Sequence, residues 1–183
     1  STAAITDNNA FLSAWNVGSR LVLDVAGNTF ARLVAQATNS VVEFRTDNAV
    51  AEDCVARWQR NCISVDDSSA DGLFELNGTR QRFRFINGQK ANRAKIHGVE
   101  PATLEVFANS TNRSQITGWV ALEKNALGEL GVNDALVLGQ QAFASYGDLK
   151  VSAGSLEFET GATWLNGTNV TVRGGELVLV SVN

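Results

Sequence analysis

Residues 149–158 read LKVSAGSLEF, and residues 170–179 read VTVRGGELVL. A shift of 21 residues carries Leu149 onto Val170, Val151 onto Val172, Gly154 onto Gly175, Leu156 onto Leu177 and Phe158 onto Leu179. In each copy apolar residues alternate with polar ones, so paired side chains share one face of a short strand, and glycine marks the turn between. Leu136 and Leu138 fall 20 residues before Leu156 and Phe158, which supplies one strand of a third copy. Short strands at a period near 20 predict an all-β protein built as a β-solenoid. A single coil cannot bury its few inward residues, so coils stack and share a core. The competing architecture is a β-sandwich or jelly roll with evenly spaced hairpins.

The same alternation extends upstream. It places Phe74 with Leu76, Phe83 with Phe85, and Leu104 with Val106, each pair on one strand face. Within residues 1–70 the pattern is less regular, although Leu21, Leu23 and Val25 mark one strand and Val42 and Phe44 another. Val50, Cys54 and Trp58 have helical spacing, so NAVAEDCVARWQ reads equally well as one short helix. No linker divides the chain. The expectation is a single domain over residues 1–183, with an irregular part (1–70) and a repeat-bearing part (71–183).

The stretches DGLFELNGTRQRFRFING (71–88), ATLEV (102–106), ITGWVALEKNALGEL (116–130), GSLEFETGATW (154–164) and VTVRGGELVL (170–179) follow one another in order. Over residues 40–183 this order resembles the autotransporter-associated β-strand repeats of large exported passenger proteins. The resemblance implies a right-handed β-helix at the cell surface, serving as a stalk, scaffold or adhesin. Asn125 to Leu130 read NALGEL where those repeats carry a glycine-rich run, and the chain adds a cysteine pair.

The 183 residues are 44% hydrophobic and carry a net charge of −4 with scattered cations, a poor match to a nucleic-acid partner. The apolar runs, such as Leu177 to Val180, fall far short of the ~20 residues of a transmembrane helix. Ser1 opens without a signal-like segment, so any export signal is expected outside these residues. Five sequons, at Asn77, Asn109, Asn112, Asn166 and Asn169, lie in or beside expected turns and point to an extracellular or cell-surface glycoprotein.

Catalytic signals are weak. His97 is the sole histidine and has no nucleophile motif beside it. Glu52-Asp53 and Asp66-Asp67 are adjacent and would point to opposite strand faces, whereas Glu157 and Glu159 share a face that reads as solvated. No Asp-rich loop has calcium-ligand spacing, and Gly174-Gly175 lacks a phosphate-binding fingerprint, so no metal or cofactor is expected. Trp15, Trp58, Trp119 and Trp164 divide between core packing and sugar stacking. The function expected is a non-enzymatic structural protein of a surface scaffold, adhesin or fibre. The alternatives are a carbohydrate-binding module and a polysaccharide-acting β-helix enzyme.

Self-association is expected through the terminal strands. Leu177, Leu179, Val180 and Val182 form an apolar edge, and the segment bearing Ile5, Phe11 and Leu12 is expected to cover that edge on a neighbouring copy, giving a homo-oligomer or filament. The alternative is a monomer whose own first segment folds back over its last strand.

Cys54 and Cys62 are the only cysteines, and Arg57, Gln59 and Arg60 between them read as exposed. A bridge would close a short loop worth ~2–3 kcal/mol in the chain-entropy model, against the alternative of two reduced thiols. Thiol titration of the unreduced, denatured chain is expected to find no free thiol. Two titratable thiols would rule the bridge out.

Overall fold

The computed structural model describes residues 3–35, 37–51, 62–65, 72–88, 95–107, 110–127, 134–139, 142–160 and 168–180, with backbone alone for 62–65 and 87–88. These hold seventeen strands and no helix. In chain order they are β1 (Phe11–Ala14), β2 (Arg20–Leu23), β3 (Arg32–Ala35), β4 (Val41–Phe44), β5 (Cys62–Val65), β6 (Leu73–Glu75), β7 (Arg80–Phe83), β8 (Phe85–Gly88) and β9 (Lys95–Val106). There follow β10 (Ser110–Asn112), β11 (Gln115–Lys124), β12 (Ala135–Leu138), β13 (Phe143–Ser145), β14 (Leu149–Val151), β15 (Ser155–Phe158), β16 (Val170–Val172) and β17 (Glu176–Leu179).

Every pairing between these strands is parallel, which excludes the hairpin-built sandwich or jelly roll, since hairpins pair antiparallel strands. Eight strands stack as β1-β3-β5-β8-β10-β12-β15-β17. The second sheet runs β2-β4-β6-β9-β11-β14-β16, with β7 beside β9 and β13 beside β11. Its long strands turn a corner. The first part of β9 pairs with β6 (Leu73↔Lys95) and its last part with β7 (Arg80↔Thr103), so each coil there has three sides. The protein is a β-solenoid.

The repeat read from the sequence is the register of the stack. Leu149 pairs with Val170, Val151 with Val172, Leu156 with Leu177 and Phe158 with Leu179. Leu136 and Leu138 lie beside Leu156 and Phe158, as the third copy requires. The glycine of the repeat serves close approach: a Cβ on Gly175 would come within 2.5 Å of the Gly154 carbonyl oxygen. The described strands within residues 1–70 join the same stack. Arg20 pairs with Val41 and Phe11 with Arg32, each at the 21-residue spacing.

Inward residues form columns that run through the coils. One column holds Leu21, Val42, Phe74, Ile96, Ile116 and Phe143, and another holds Leu104, Leu122, Leu149 and Val170. Asparagines at positive φ, Asn39, Asn48 and Asn77, take corner positions that few other side chains tolerate. Buried amides satisfy the corner backbone. Asn28 donates to the carbonyls of Val25 (2.5 Å) and Ala49 (2.7 Å) and accepts from the Ile5 amide (2.9 Å), stitching three coils together.

One local expectation changes. Phe83 and Phe85 do not share a face, because the chain turns at Arg84. Phe83 is buried at the end of β7, Ile86 is the inward residue of β8, and Phe85 is half-buried. The segment NAVAEDCVARWQ, read as one possible helix, lies outside the described residues apart from Asn48 to Ala51, and Val50 forms a parallel bridge with Asn28.

Leu104 is fully buried in its column, whereas Thr103 beside it faces outward. Leu104→Ala is expected to cost about 2–5 kcal/mol, read as a lower urea midpoint at unchanged slope. Thr103→Ala should stay within about 0.5 kcal/mol. Equal effects at the two positions would contradict the register.

Candidate functional site

The outer surface of the bent sheet gathers the polar chemistry. On its first side Val22, Glu43, Glu75, His97, Thr117 and Ala144 form one outward column, and on its second side Arg82, Glu105, Glu123 and Lys150 form another. Parallel in-register stacking therefore places Glu43 beside Glu75, and Glu105 beside Glu123. Such like-charged neighbours repel unless counter-charges intervene.

Counter-charges are present. Glu43 is nearly buried beneath Arg20 and Arg45 (2.8 Å) and accepts from the Asn77 side chain (2.8 Å). Hydrogen bonding from Arg45 outweighs the cost of burial, and with Arg20 and Asn77 it holds the Glu43 carboxyl below the usual range. Arg80 spans two coils, reaching Glu105 at 2.6 Å and Glu123 at 3.2 Å. Burial pushes Glu105 up, but hydrogen bonds from Asn125, Arg82 and Arg80 prevail and its pKa is lowered. Burial likewise raises Glu123, yet Lys150 (2.7 Å) and Ser152 (3.0 Å) bring it below the ordinary value. Glu75 accepts from the amides of Asn77 (3.0 Å) and Val99 (3.3 Å).

Lysine is found inward as well as outward. Lys124 shares a core column with Phe83, Val106, Val151 and Val172, is fully buried, and donates to the carbonyls of Phe107 (2.8 Å) and Asn125. Burial depresses its pKa to about 8 against a weaker opposing pull from Asp134.

At the corner between the two sides Trp119 and Tyr146 stand exposed, with ring centroids 5.2 Å apart and planes tilted by 37°. Gly147 permits this approach, because a Cβ there would collide with the carbonyl of Val120. Val99 is exposed at the corresponding corner of β9.

The expected site residues are dispersed. His97 is half-buried, with Nδ1 2.9 Å from the Thr117 hydroxyl. Glu157 accepts from the Ser155 hydroxyl (3.1 Å), and Glu159 forms a two-pronged pair with Arg113 (2.6 and 3.1 Å). These two glutamates line a shallow groove of about 400 Å³ with Val137, Phe158, Thr160 and Val180. Glu52, Asp53, Asp66, Asp67, Trp58 and Trp164 lie outside the described residues, as do Cys54, Asn109, Asn166 and Val182. Cys62 opens β5. Among the described residues no group of three or more His, Cys, Asp or Glu is placed to hold a metal ion. No described helix is long and apolar enough to cross a membrane.

The sequons do not share one environment. Asn112 is a correction: it sits in the core column with Leu138, Phe158 and Leu179, is fully buried, and donates to the Ser114 carbonyl (2.8 Å). A glycan there has no outlet from the folded coil. Asn77 is half-buried with its amide nitrogen engaged by Glu43, whereas Asn169 is exposed and hydrogen-bonded to Asp148 (3.0 Å). Alternation alone could not separate Asn112 from a turn residue, since polar letters fill the buried positions around it as well: Ser110, Asn112 and Ser114 are all buried.

No protein-family model, no curated protein and no solved structure matches this chain.

The lowered carboxyl values set the pH dependence. A folded pKa below the ordinary 4.5 means the unfolded chain binds more protons, so the Glu43, Glu105 and Glu123 contributions are complete above 4.5 and are lost as pH falls through the folded values. For Lys124 the folded value of about 8 lies below the ordinary 10.5, so its contribution to stability rises as pH climbs from about 8 to 10.5. Thermal unfolding across pH is expected to show both limbs. Glu105→Gln should flatten the acid limb and Lys124→Met the alkaline one, and limbs unchanged in both variants would contradict these assignments.

Proposed function

We propose that this protein is a non-enzymatic structural element, a rigid β-solenoid rod of an extracellular or cell-surface scaffold or fibre. The observation that carries this reading is the use of the outward charges as ties between coils. Arg80 joins Glu105 to Glu123, Lys150 joins Glu123 from the next coil, Asn77 reaches back to Glu43, and Arg113 clamps Glu159. Carboxyls held low by cations suit such ties better than they suit a proton donor, which needs a raised value. The interior is filled by side chains, as a load-carrying rod requires. This architecture is in keeping with the resemblance to autotransporter-associated repeats.

Assembly is the finer part of the proposal. Leu179 and Val180 are 47% and 45% exposed at one end of the stack, and Leu177 is half-buried against the core. Ile5 and Leu12 are not parts of a free arm. Ile5 is hydrogen-bonded to Asn28 and Thr29, Leu12 packs against the core beside Leu33, and Phe11 lies outward with Arg32 over its ring at 5.4 Å. β1 and β17 occupy opposite ends of the eight-stranded sheet, about 34 Å apart at ~4.8 Å per strand, so β1 does not fold back over β17 of its own chain. In this proposal the first coil of one copy stacks on the last coil of another, a heterologous contact that propagates.

Light scattering over a concentration series is expected to show a mass that grows with concentration, and Leu179→Glu should reduce it. A monomer mass at every concentration would remove the assembly proposal.

A further inference from the structure

The eight-stranded sheet keeps one register from its first strand to its last. An inward row runs from Leu12 through Leu33 and Ile86 to Leu136, Leu156 and Leu177, so Leu12 and Leu177 hold the same position on β1 and β17. By the same register Phe11 is equivalent to Glu176, Ser13 to Val178 and Ala14 to Leu179. Leu33, Ala35, Leu156 and Phe158, inside these rows, are covered on both sides and buried. At β17 the cover ends, and Leu179 is exposed. The second sheet shows the same break: Leu149 and Val151 are fully buried, whereas their partners Val170 and Val172 on β16 are exposed.

Strand direction and charge define what completes these rows. Among the described strands β1 and β17 each pair on one side only. Every described pair is parallel, so a strand that continues the pattern on β17 runs in the direction of β17. A second copy translated along the solenoid axis presents β1 in that direction with its inward face aligned. Two copies set end against like end either reverse the strands or turn one sheet inside out, and both break the rows. Translation lays Leu12 on Leu177 and Ala14 on Leu179, a small side chain against a large one. On the outer face it sets Glu176 of one copy beside Phe11 of the next. The Arg32 guanidinium lies over the Phe11 ring, 5.4 Å from its centroid, so a cation stands at the edge that the carboxylate meets. Arg80, bonded to Glu105 and Glu123, shows one guanidinium serving carboxylates on two coils of this fold.

We propose that copies join head to tail in one register, with β1 of one copy extending the parallel ladder of β17 of another and an Arg32–Glu176 ion pair across the joint. This register rests on the end-to-end assembly proposed above, and the two fail separately.

The test is a pair of charge reversals followed by light scattering over a concentration series of the full chain. Glu176→Arg and Arg32→Glu each set like charges across the joint, and each alone should weaken self-association about fivefold. An equimolar mixture of the two variants should regain the association of the parent, because every joint in an alternating row then carries one cation and one anion. Both residues are exposed, so the variants should keep the circular dichroism spectrum of the parent. A parent that associates while either variant alone matches it, or a mixture no stronger than the separate variants, would overturn the register and leave the assembly standing. A parent that stays monomeric at every concentration would overturn both.

Discussion

In-register stacking of parallel strands is the constraint on which the rest of this molecule depends. No coil encloses its own core: Phe74 is covered because Val42 lies on one side of it and Ile96 on the other. Slippage by one residue would send every inward side chain to the solvent face, so the apolar pattern fixes register strongly. Extra chain is accommodated between strands rather than within them. Arg20 and Val41 pair across 21 residues, whereas Val41 and Leu73 pair across 32 without change to the columns. The ladder resumes in phase after the longer span.

The same stacking creates an electrostatic problem on the outside. Equivalent residues on neighbouring coils lie one strand spacing apart, so a glutamate repeated on two coils faces its own like charge. The structure answers with arginines and lysines that bridge coils, above all Arg80 between Glu105 and Glu123. Because these carboxylates are shielded from water, their hydrogen bonds count for more than those of a fully exposed pair. Lys124 shows the opposite case. Its stem fills a core column and its ammonium group reaches corner carbonyls, so the position contributes packing and costs charge stability at neutral pH.

The strands were legible in the sequence wherever alternation was clean and the 21-residue shift preserved it, as between β14 and β16 or β15 and β17. Alternation misled at Phe83 and Phe85, because a solenoid turns its chain within one residue and the pattern changes phase at Arg84. It also misplaced Asn112, a polar residue that lies in a core column with its side-chain nitrogen donating to the backbone carbonyl of Ser114. In the first coils the period was present but obscured, since polar residues such as Asn28 hold inward corners where apolar letters would have advertised a repeat.

The sequence by itself determined that the chain is all-β, that it repeats near 21 residues, and which of Leu149 to Leu179 face inward, because side-chain alternation is a local property of extended backbone. Only the tertiary structure decided which residues stand beside one another on successive coils. Trp119 and Tyr146 are 27 positions apart and carry no shared motif, yet the corner of β11 and the glycine at 147 bring their rings together. Glu105, Glu123 and Arg80 come from three coils and meet for the same reason. Such neighbours depend on how much chain each coil spends at its corners, a length that varies from coil to coil and is fixed only when the ladders close.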